Sequence, residues 1–113
     1  MTQTIDEAMI TSGFELAGYK ITKNLGITRG LIVRSRSIVG NIGAGLQTIV
    51  GGNISLYTKL CEQSREHAYS LMLEHANEMG ANAIIAFHFD ATEVAPGVTE
   101  VLAYGTAVIT ERA

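Results

Sequence analysis

A metal ligand is the most specific chemical role open to the side chains of this 113-residue chain. Cys61 is its only cysteine, and a thiolate is a good ligand for soft metals. Arg65 follows one helical turn later, where its charge would favour the thiolate form. A single cysteine cannot complete a tetrahedral site, so further ligands would have to come from other copies of the chain. The commoner alternative is a buried cysteine that packs as a small hydrophobic residue.

The histidines do not form a preformed site with each other or with Cys61. His67 and His75 lie about 12 Å apart along a helix, whereas two metal ligands on one helix are normally three or four residues apart. His88 and Asp90 are better placed, because residues i and i+2 of a strand share a face. Cys61, His88 and Asp90 are therefore the candidate metal ligands. An ordinary polar strand end is the alternative for the last two.

Catalytic and phosphate-binding sites fit the sequence less well. The glycine-rich segment 38–52 lacks the Lys-Ser/Thr pair of a phosphate loop and the spacing of a dinucleotide-binding turn, so close packing against a neighbour explains it better. No Ser or Cys has a recognisable catalytic partner, and no paired carboxylates are set in an aromatic cleft. The sequence therefore predicts a protein that is not an enzyme.

The composition predicts a small domain whose surface is partly covered by other subunits. Apolar residues make up 47% of the chain and charged residues 17%, which is little charge for the large relative surface of a small domain. The first residues do not resemble a signal peptide, and no apolar stretch approaches the roughly 20 residues that span a bilayer. With a single cysteine, these features predict a cytoplasmic protein without a membrane partner.

The net charge of −3 is unevenly distributed along the chain. Five basic residues follow one another without an intervening acid: Lys20, Lys23, Arg29, Arg34 and Arg36. Such a run can contact phosphate, but the chain is acidic overall. A solvated strand face, or one paired with another subunit, is therefore the favoured interpretation, and no nucleic-acid partner is expected.

A long helix over residues 54–79 is the clearest predicted element. Its polar side chains occupy a continuous arc of about 160°, which leaves an apolar arc of about 200°. A helix that rests on one sheet needs an apolar stripe of only somewhat more than 100°. The surplus predicts a second packing surface, most simply on another subunit. Gly80 is the predicted C-cap.

Arg65 is exceptional because it falls inside the apolar arc of this helix. An unpaired charge in such a position is costly. We therefore predict a structural ion pair between Arg65 and a carboxylate, with Asp90 and Glu100 as candidates, within the chain or across a subunit boundary.

The remaining elements are predicted to be mainly strands. The pattern from residue 19 to 33 is strand-like, with Gly26 and Gly30 marking a bulge or bend. A hairpin around Pro96-Gly97 follows the helix, and both of its strands are apolar on both faces. Such strands again require more cover than one helix provides.

The order of the elements predicts an α+β fold, a two-layer β-α-β-β sandwich with one long helix on an antiparallel sheet. Residues 38–52 are predicted to add a short glycine-rich helix. Residues 1–16 are predicted to be a flexible N-terminal arm, and residues 17–113 a single domain.

Several sequence blocks resemble the YbjQ-like family of small bacterial and archaeal proteins. The resemblance covers about residues 17–109 and is carried by four blocks: IGAGLQTIVGG (42–52), YTKL (57–60), GANAI (80–84) and TEVLAYGTAV (99–108). It implies a dodecin-like subunit, assembly into a ring-shaped homopentamer, and the heavy-metal-binding role by which the family is labelled. The chain departs from the usual pattern at Asn53, Leu71 and His75, where charged residues are more common.

Residues and resemblance together predict an oligomeric binding module that holds a heavy metal or another soft species. The sequence leaves the cofactor open, with a soft transition metal as the candidate, and further copies of the chain are the expected partners. The alternative is a structural or interaction protein whose ring presents the acidic helix face to a partner. That face carries Glu62, Glu66 and Glu74.

Overall fold

The computed structural model describes residues 5–35 and 54–113, with only the backbone for residues 35 and 54–60. A short 3-10 helix, Glu7–Met9, precedes strand β1, Tyr19–Ser35. Helix α1, Ile54–Glu78, is followed by strands β2, Ala83–Ala95, and β3, Val98–Arg112. This order confirms the predicted α+β class with one helix on an antiparallel sheet. The glycine-rich helix predicted over 38–52 lies outside the described residues.

Strand β3 lies in the centre of the three-stranded sheet, whose order is β1-β3-β2. Both of its neighbours run antiparallel to it. The register of β1 against β3 shifts between Asn24 and Gly26, where Gly26 adopts a φ of 114°. This confirms the bulge predicted at Gly26. No register shift occurs at Gly30, so a glycine is required at that position for a different reason.

The ends of α1 and of the hairpin follow local signals in the sequence. Gly80 adopts a φ of 87°, its N–H donates to the Asn77 carbonyl at 3.0 Å, and the Ala81 N–H donates to the Ala76 carbonyl at 3.1 Å. These two bonds form a Schellman C-cap. Pro96-Gly97 connects β2 to β3, and Gly97 adopts a φ of 75°. Both features confirm the sequence predictions.

Helix α1 packs on one face of the sheet, here called the inner face. Ala68, Met72 and Ala76 form the fully buried stripe of the helix. Small residues of the sheet allow the close approach: a Cβ added to Gly30 would overlap the carbonyl oxygen of Ala68 and lie 2.5 Å from the backbone nitrogen of Met72. Gly30 is therefore required by helix packing and not by a bend in the strand.

A buried hydrogen bond joins β1 to α1 beside this contact. The Thr28 hydroxyl donates to the Met72 carbonyl at 2.8 Å, and Thr28 is almost completely buried. Replacing Thr28 with Val keeps the shape and removes the donor, so we expect the free energy of unfolding to fall by about 1 kcal/mol. Urea denaturation measures the loss. The exposed Thr22, whose hydroxyl bonds the Ile109 carbonyl, is the matched control, and an equal loss for Thr22→Val would contradict this account.

Residues 5–16, predicted to be a flexible arm, lie against the outer edge of β2. Ile5 is 5% exposed and belongs to the core. The Thr11 N–H donates to the Ile84 carbonyl, the Phe87 N–H to the Thr11 carbonyl, and the Ala86 N–H to the Gly13 carbonyl, at 2.8 to 3.0 Å. These bonds describe where the arm lies, whereas its flexibility stays a prediction.

The face of the sheet turned away from α1, here called the outer face, carries exposed apolar side chains, and no other described element packs on it. In β1, Ile27, Leu31 and Val33 are 73%, 47% and 57% exposed. Leu102 and Tyr104 of β3 lie beside them and are half-buried. Side chains flanking the buried stripe of α1, among them Tyr69, Leu71 and Leu73, are also only partly buried. The described residues thus leave apolar surface exposed on both layers. The wide apolar arc of the helix and the apolar faces of the hairpin strands predict such surface.

The shape of the chain agrees with this exposure. The radius of gyration of the described part is 17.2 Å and its longest dimension is 56 Å, whereas a compact domain of roughly 100 residues has a radius of gyration of about 13 Å. Among the described residues, no helix is long and apolar enough to cross a membrane.

Candidate functional site

A bulge in β2 positions the histidine that the sequence selects. The register against β3 shifts between Ile85 and His88, and Ala86 in this bulge adopts a φ of 55°. A residue with a Cβ pays about 1 kcal/mol or more for this conformation, and such strain is concentrated at functional sites. The local turn brings the Ala86 carbonyl to 3.0 Å from Nδ1 of His88.

This contact defines the hydrogen-bonding state of the His88 ring. A carbonyl oxygen can only accept, so Nδ1 carries the proton and the lone pair of a neutral imidazole lies on Nε2. A backbone carbonyl on one ring nitrogen is the arrangement that commonly orients a metal-binding histidine. The ring also stacks on Tyr104, with centroids 6.0 Å apart and planes at 25°. His88 is therefore a held, exposed imidazole with one nitrogen available.

Asp90 lies near His88 on the same face. The register is regular from His88 to Asp90, so both side chains point to the outer face. Both residues are exposed. Arg29, Tyr104 and His88 form one cross-strand row, because Tyr104 pairs with Arg29 on one side and with His88 on the other. His88 and Asp90 thus lie on an exposed surface beside the cationic Arg29 and the aromatic ring of Tyr104.

Cys61 does not join this pair. It lies on α1, which packs on the inner face, and its side chain is exposed. The expectation that Cys61 packs as a buried hydrophobic residue is therefore wrong for the single chain. Among the described residues, no group of three or more His, Cys, Asp or Glu side chains is arranged to hold a metal ion. Metal ligation by Cys61, His88 and Asp90 stays a prediction that requires more than one copy of the chain.

Arg65 contacts an aromatic cluster on the inner face. Its guanidinium carbon lies 5.5 Å from the centroid of the Phe89 ring, within the range of a cation–π interaction. Phe89 also lies 4.9 Å from Phe87, centroid to centroid, and Tyr69 packs edge-on against Phe87 at 5.4 Å. Burial raises the pKa of Tyr69, and the nearby Glu7 carboxylate of the arm raises it further.

The cluster bears on the ion pair that was predicted for Arg65. Asp90 and Glu100 both lie on the outer face, since Asp90 pairs with Leu102, and Glu100 pairs with Val33. Helix α1, which carries Arg65, lies on the other side of the sheet. Arg65 therefore does not pair with Asp90 or Glu100 of its own chain, and an ion pair across a subunit boundary stays a prediction. The spacing of Arg65 and Tyr69 on the helix, and of Phe87 and Phe89 on the strand, was the available signal for the cluster.

His75 has a structural role that the sequence did not predict. Nδ1 of His75 lies 2.6 Å from the Arg29 carbonyl oxygen. This bond ties the C-terminal half of α1 to the backbone of β1.

A cavity of about 300 Å³ lies between the arm and the far end of the sheet. It is lined by Ile5, Asp6, Met9, Tyr19, Ala81, Asn82, Thr110 and Arg112. Both atoms of the Asn82 amide already bond Thr110, at 2.8 to 3.2 Å. The most buried polar groups of the cavity are therefore occupied by structural bonds.

Comparisons with known proteins agree with the resemblance noted in the sequence. The family model YbjQ_1, described as "Putative heavy-metal-binding", matches residues 8–111. A UPF0145 protein of Solibacter usitatus is 58% identical over 104 residues, covering 92% of this chain and 93% of its own length. A UPF0145 protein of Burkholderia thailandensis is 59% identical over 108 residues, covering 96% of this chain and 97% of its own.

A solved structure supports the fold. The crystal structure of a protein of unknown function from Pediococcus pentosaceus, assigned to the DUF74 family, superposes with a TM-score of 0.52 at 16% identity. The match covers 90% of this chain and 96% of the other. At this identity, the likeness concerns the fold alone.

Proposed function

This chain belongs to the YbjQ_1 family, and we propose that it is an oligomeric binding module that holds a heavy metal ion through His88. The observation that carries the proposal is the bond from Nδ1 of His88 to the Ala86 carbonyl, which leaves Nε2 as the available ligand atom. The strained φ of Ala86 that accompanies this bond is a cost that an ordinary polar strand end would not need.

Several copies of the chain are part of the proposal. His88 and Asp90 provide two ligands at most, and zinc sites normally use three or four protein ligands. The exposed apolar outer face beside this pair supports assembly, because contiguous exposed apolar surface marks interaction sites. A ring-shaped homopentamer of dodecin-like subunits is the assembly implied by the family resemblance. We propose it as the functional form, in a reducing compartment such as the cytoplasm.

The proposed role is binding and not catalysis. Imidazole ligands suit zinc, copper and nickel, whereas thiolates favour softer ions such as Cu(I). Cys61 is exposed on the opposite layer of the chain, so it provides a separate candidate ligand. Replacing His88 and Cys61 separately, and measuring metal binding by each variant, shows which of the two is the ligand.

Calorimetric titration of the assembled protein with zinc or copper(II) tests the assignment. We expect His88→Ala to weaken binding by at least about tenfold, the usual loss when a metal ligand or its supporting group is removed. His67→Ala is the matched control, because His67 is an exposed histidine on α1, and it should bind as the wild type does. Unchanged binding by His88→Ala, or a loss confined to Cys61→Ser, would contradict the assignment of His88.

The alternative function is an interaction protein that presents the acidic side of α1. Glu62, Glu66 and Glu74 are all exposed on the polar side of the helix, which supports this candidate. Reversing the three charges should leave metal binding by His88 unchanged. An assembled wild type that binds neither zinc nor copper would favour the interaction role over the metal role.

A further inference from the structure

We propose that neighbouring copies join edge to edge, with the second half of β2 in one copy pairing in parallel with the second half of β1 in the next. In this proposal the N-terminal arm sets the register by occupying the first half of the β2 edge, and His75 does so by occupying the Arg29 carbonyl, where the free half of β1 begins. The inference rests on the oligomer of the proposed function and specifies the contact that builds it.

The edge of β2 is half occupied by the arm. Since β3 is central, β1 and β2 each have one edge that pairs with no other strand among residues 5–35 and 54–113. The backbone bonds of Thr11 and Gly13 occupy this edge of β2 from Ile84 to Phe87. Within the described part of the chain, no backbone bond reaches the same edge from His88 to Ala95. This second half of β2 is therefore available to another strand.

On the free edge of β1, His75 occupies a backbone carbonyl at the level of the sheet where the arm ends on β2. Successive residues of a strand direct their backbone N–H and C=O groups alternately to the two sides. The bond from His75 to the Arg29 carbonyl thus marks the odd-numbered residues of this stretch as those that face the free edge. Leu31 and Val33 come next on that edge, and their side chains are among the exposed apolar residues.

The two free halves lie at the same height in the sheet. Tyr104 of β3 pairs with both Arg29 and His88, and Glu100 pairs with both Val33 and Thr92. Extending the sheet sideways would therefore place His88–Ala95 of one copy beside residues 29–35 of the next without a shift along the strand. Both strands run antiparallel to β3, so the new pair is parallel.

Charge favours this pairing. The free half of β1 carries only basic charges, Arg29 and Arg34, and the free half of β2 carries only acidic ones, Asp90 and Glu93. Arg34 and Glu93 both pair with Thr99 of β3. Both are on the inner face, since Nε of Arg34 donates to Ser64 of α1 and the register is regular from Phe89 to Glu93. In the assembly they would be cross-strand neighbours of opposite charge.

The pairing also manages the exposed edges. Long unpaired apolar edges invite uncontrolled association, and closing a sheet into a ring removes them. A contact between two different edges is heterologous, and it gives a closed ring when the rotation between copies closes. The arm keeps the contact off the first half of the β2 edge, and the His75 bond marks where the contact begins on β1, so slipped registers are disfavoured.

A charge exchange tests the contact in the full-length protein. We expect Arg34→Glu and Glu93→Arg to raise the concentration at half-assembly by at least about fivefold each, because each places like charges across every contact. The double variant should restore wild-type assembly, since opposite charges then face each other again, with their positions exchanged across every contact. Light scattering measures the mass. The control is Glu74→Arg, which makes the same charge change as Glu93→Arg but on the exposed side of α1. It should assemble as the wild type does.

Hydrogen exchange at the edge is the second measurement, and it is independent of side-chain charge. In the assembled wild type, the backbone amides of Leu31 and Val33 should be protected, and they should lose protection on dilution to monomer. Free exchange of both amides in the assembled protein, or folded single variants that assemble as the wild type does, would overturn the edge pairing and leave the oligomer standing. A wild type that is monomeric at all concentrations would overturn both.

Discussion

Gly30→Ala is expected to lower the free energy of unfolding by about 3 kcal/mol, the upper end of the usual cost of overpacking. The added Cβ would overlap the Ala68 carbonyl oxygen and lie 2.8 Å from the Leu71 Cβ. Two of the three contacted groups are helix backbone, which cannot move aside as a flexible side chain can. Either α1 shifts away from β1 or the strand does, and both movements open the core around Met72.

Denaturant unfolding of Gly30→Ala measures this effect, with Gly13→Ala as the matched control. A Cβ on Gly13 would meet only the Thr11 hydroxyl, at an ordinary contact distance of 3.5 Å, so this variant should change the free energy of unfolding by less than about 0.5 kcal/mol. A Gly30→Ala protein as stable as the control would show that α1 does not lie this close to β1.

Leu31→Asp is expected to abolish assembly while the single chain still folds. The Leu31 side chain is 47% exposed in one chain and lies on the outer face at the free edge of β1. In the proposed edge pairing it lies beside Asp90 of the next copy, because both residues pair with Leu102 of β3, and a carboxylate placed there against a like charge costs about 3 kcal/mol per contact. That cost corresponds to about a hundredfold weaker contact.

Light scattering should therefore give the mass of one chain, 12.1 kDa, at concentrations where the wild type is fully assembled. Ser70→Asp introduces the same charge on the exposed side of α1 and should leave the mass unchanged. Circular dichroism separates loss of assembly from loss of folding. A folded Leu31→Asp protein with the wild-type mass would contradict the edge pairing at Leu31.

Features that depend on a residue and its immediate neighbours were predictable from the sequence. Gly80 ends α1 because a glycine tolerates the positive φ of a Schellman cap. Pro96-Gly97 and Gly26 follow the same logic at a turn and a bulge. The side of α1 that meets the sheet was also predictable, because helical periodicity determines which residues share a stripe.

The exposure of Cys61 and the partner of Arg65 were not predictable in this way. Both residues fall on the angular stripe that Ala68 and Met72 bury, so periodicity alone assigns them to the core. Helical angle says where a side chain points around the axis, but not how far along the axis the sheet extends. Among the described side chains of α1, which begin at Cys61, the first that is fully buried is Ala68.

The bulge that positions His88 had no signal in the sequence. A glycine at residue 86 would have indicated a positive φ, whereas an alanine there reads as ordinary strand. The contact between the arm and β2 was missed for a related reason. Ile5 and the short run 8–10 carry too few apolar residues to show a strand or helix period. The bonds of Thr11 and Gly13 to β2 use only the backbone, which carries no residue preference.

A native mass spectrum of the wild type, recorded with and without zinc, tests the central claim most directly. The account predicts a closed oligomer, about 60 kDa if five chains of 12.1 kDa assemble, that gains a fixed number of zinc ions. His88→Ala should show the same oligomer without the adduct. A species of 12.1 kDa at all concentrations, or an oligomer that gains no metal, would contradict the proposal of a metal-holding assembly.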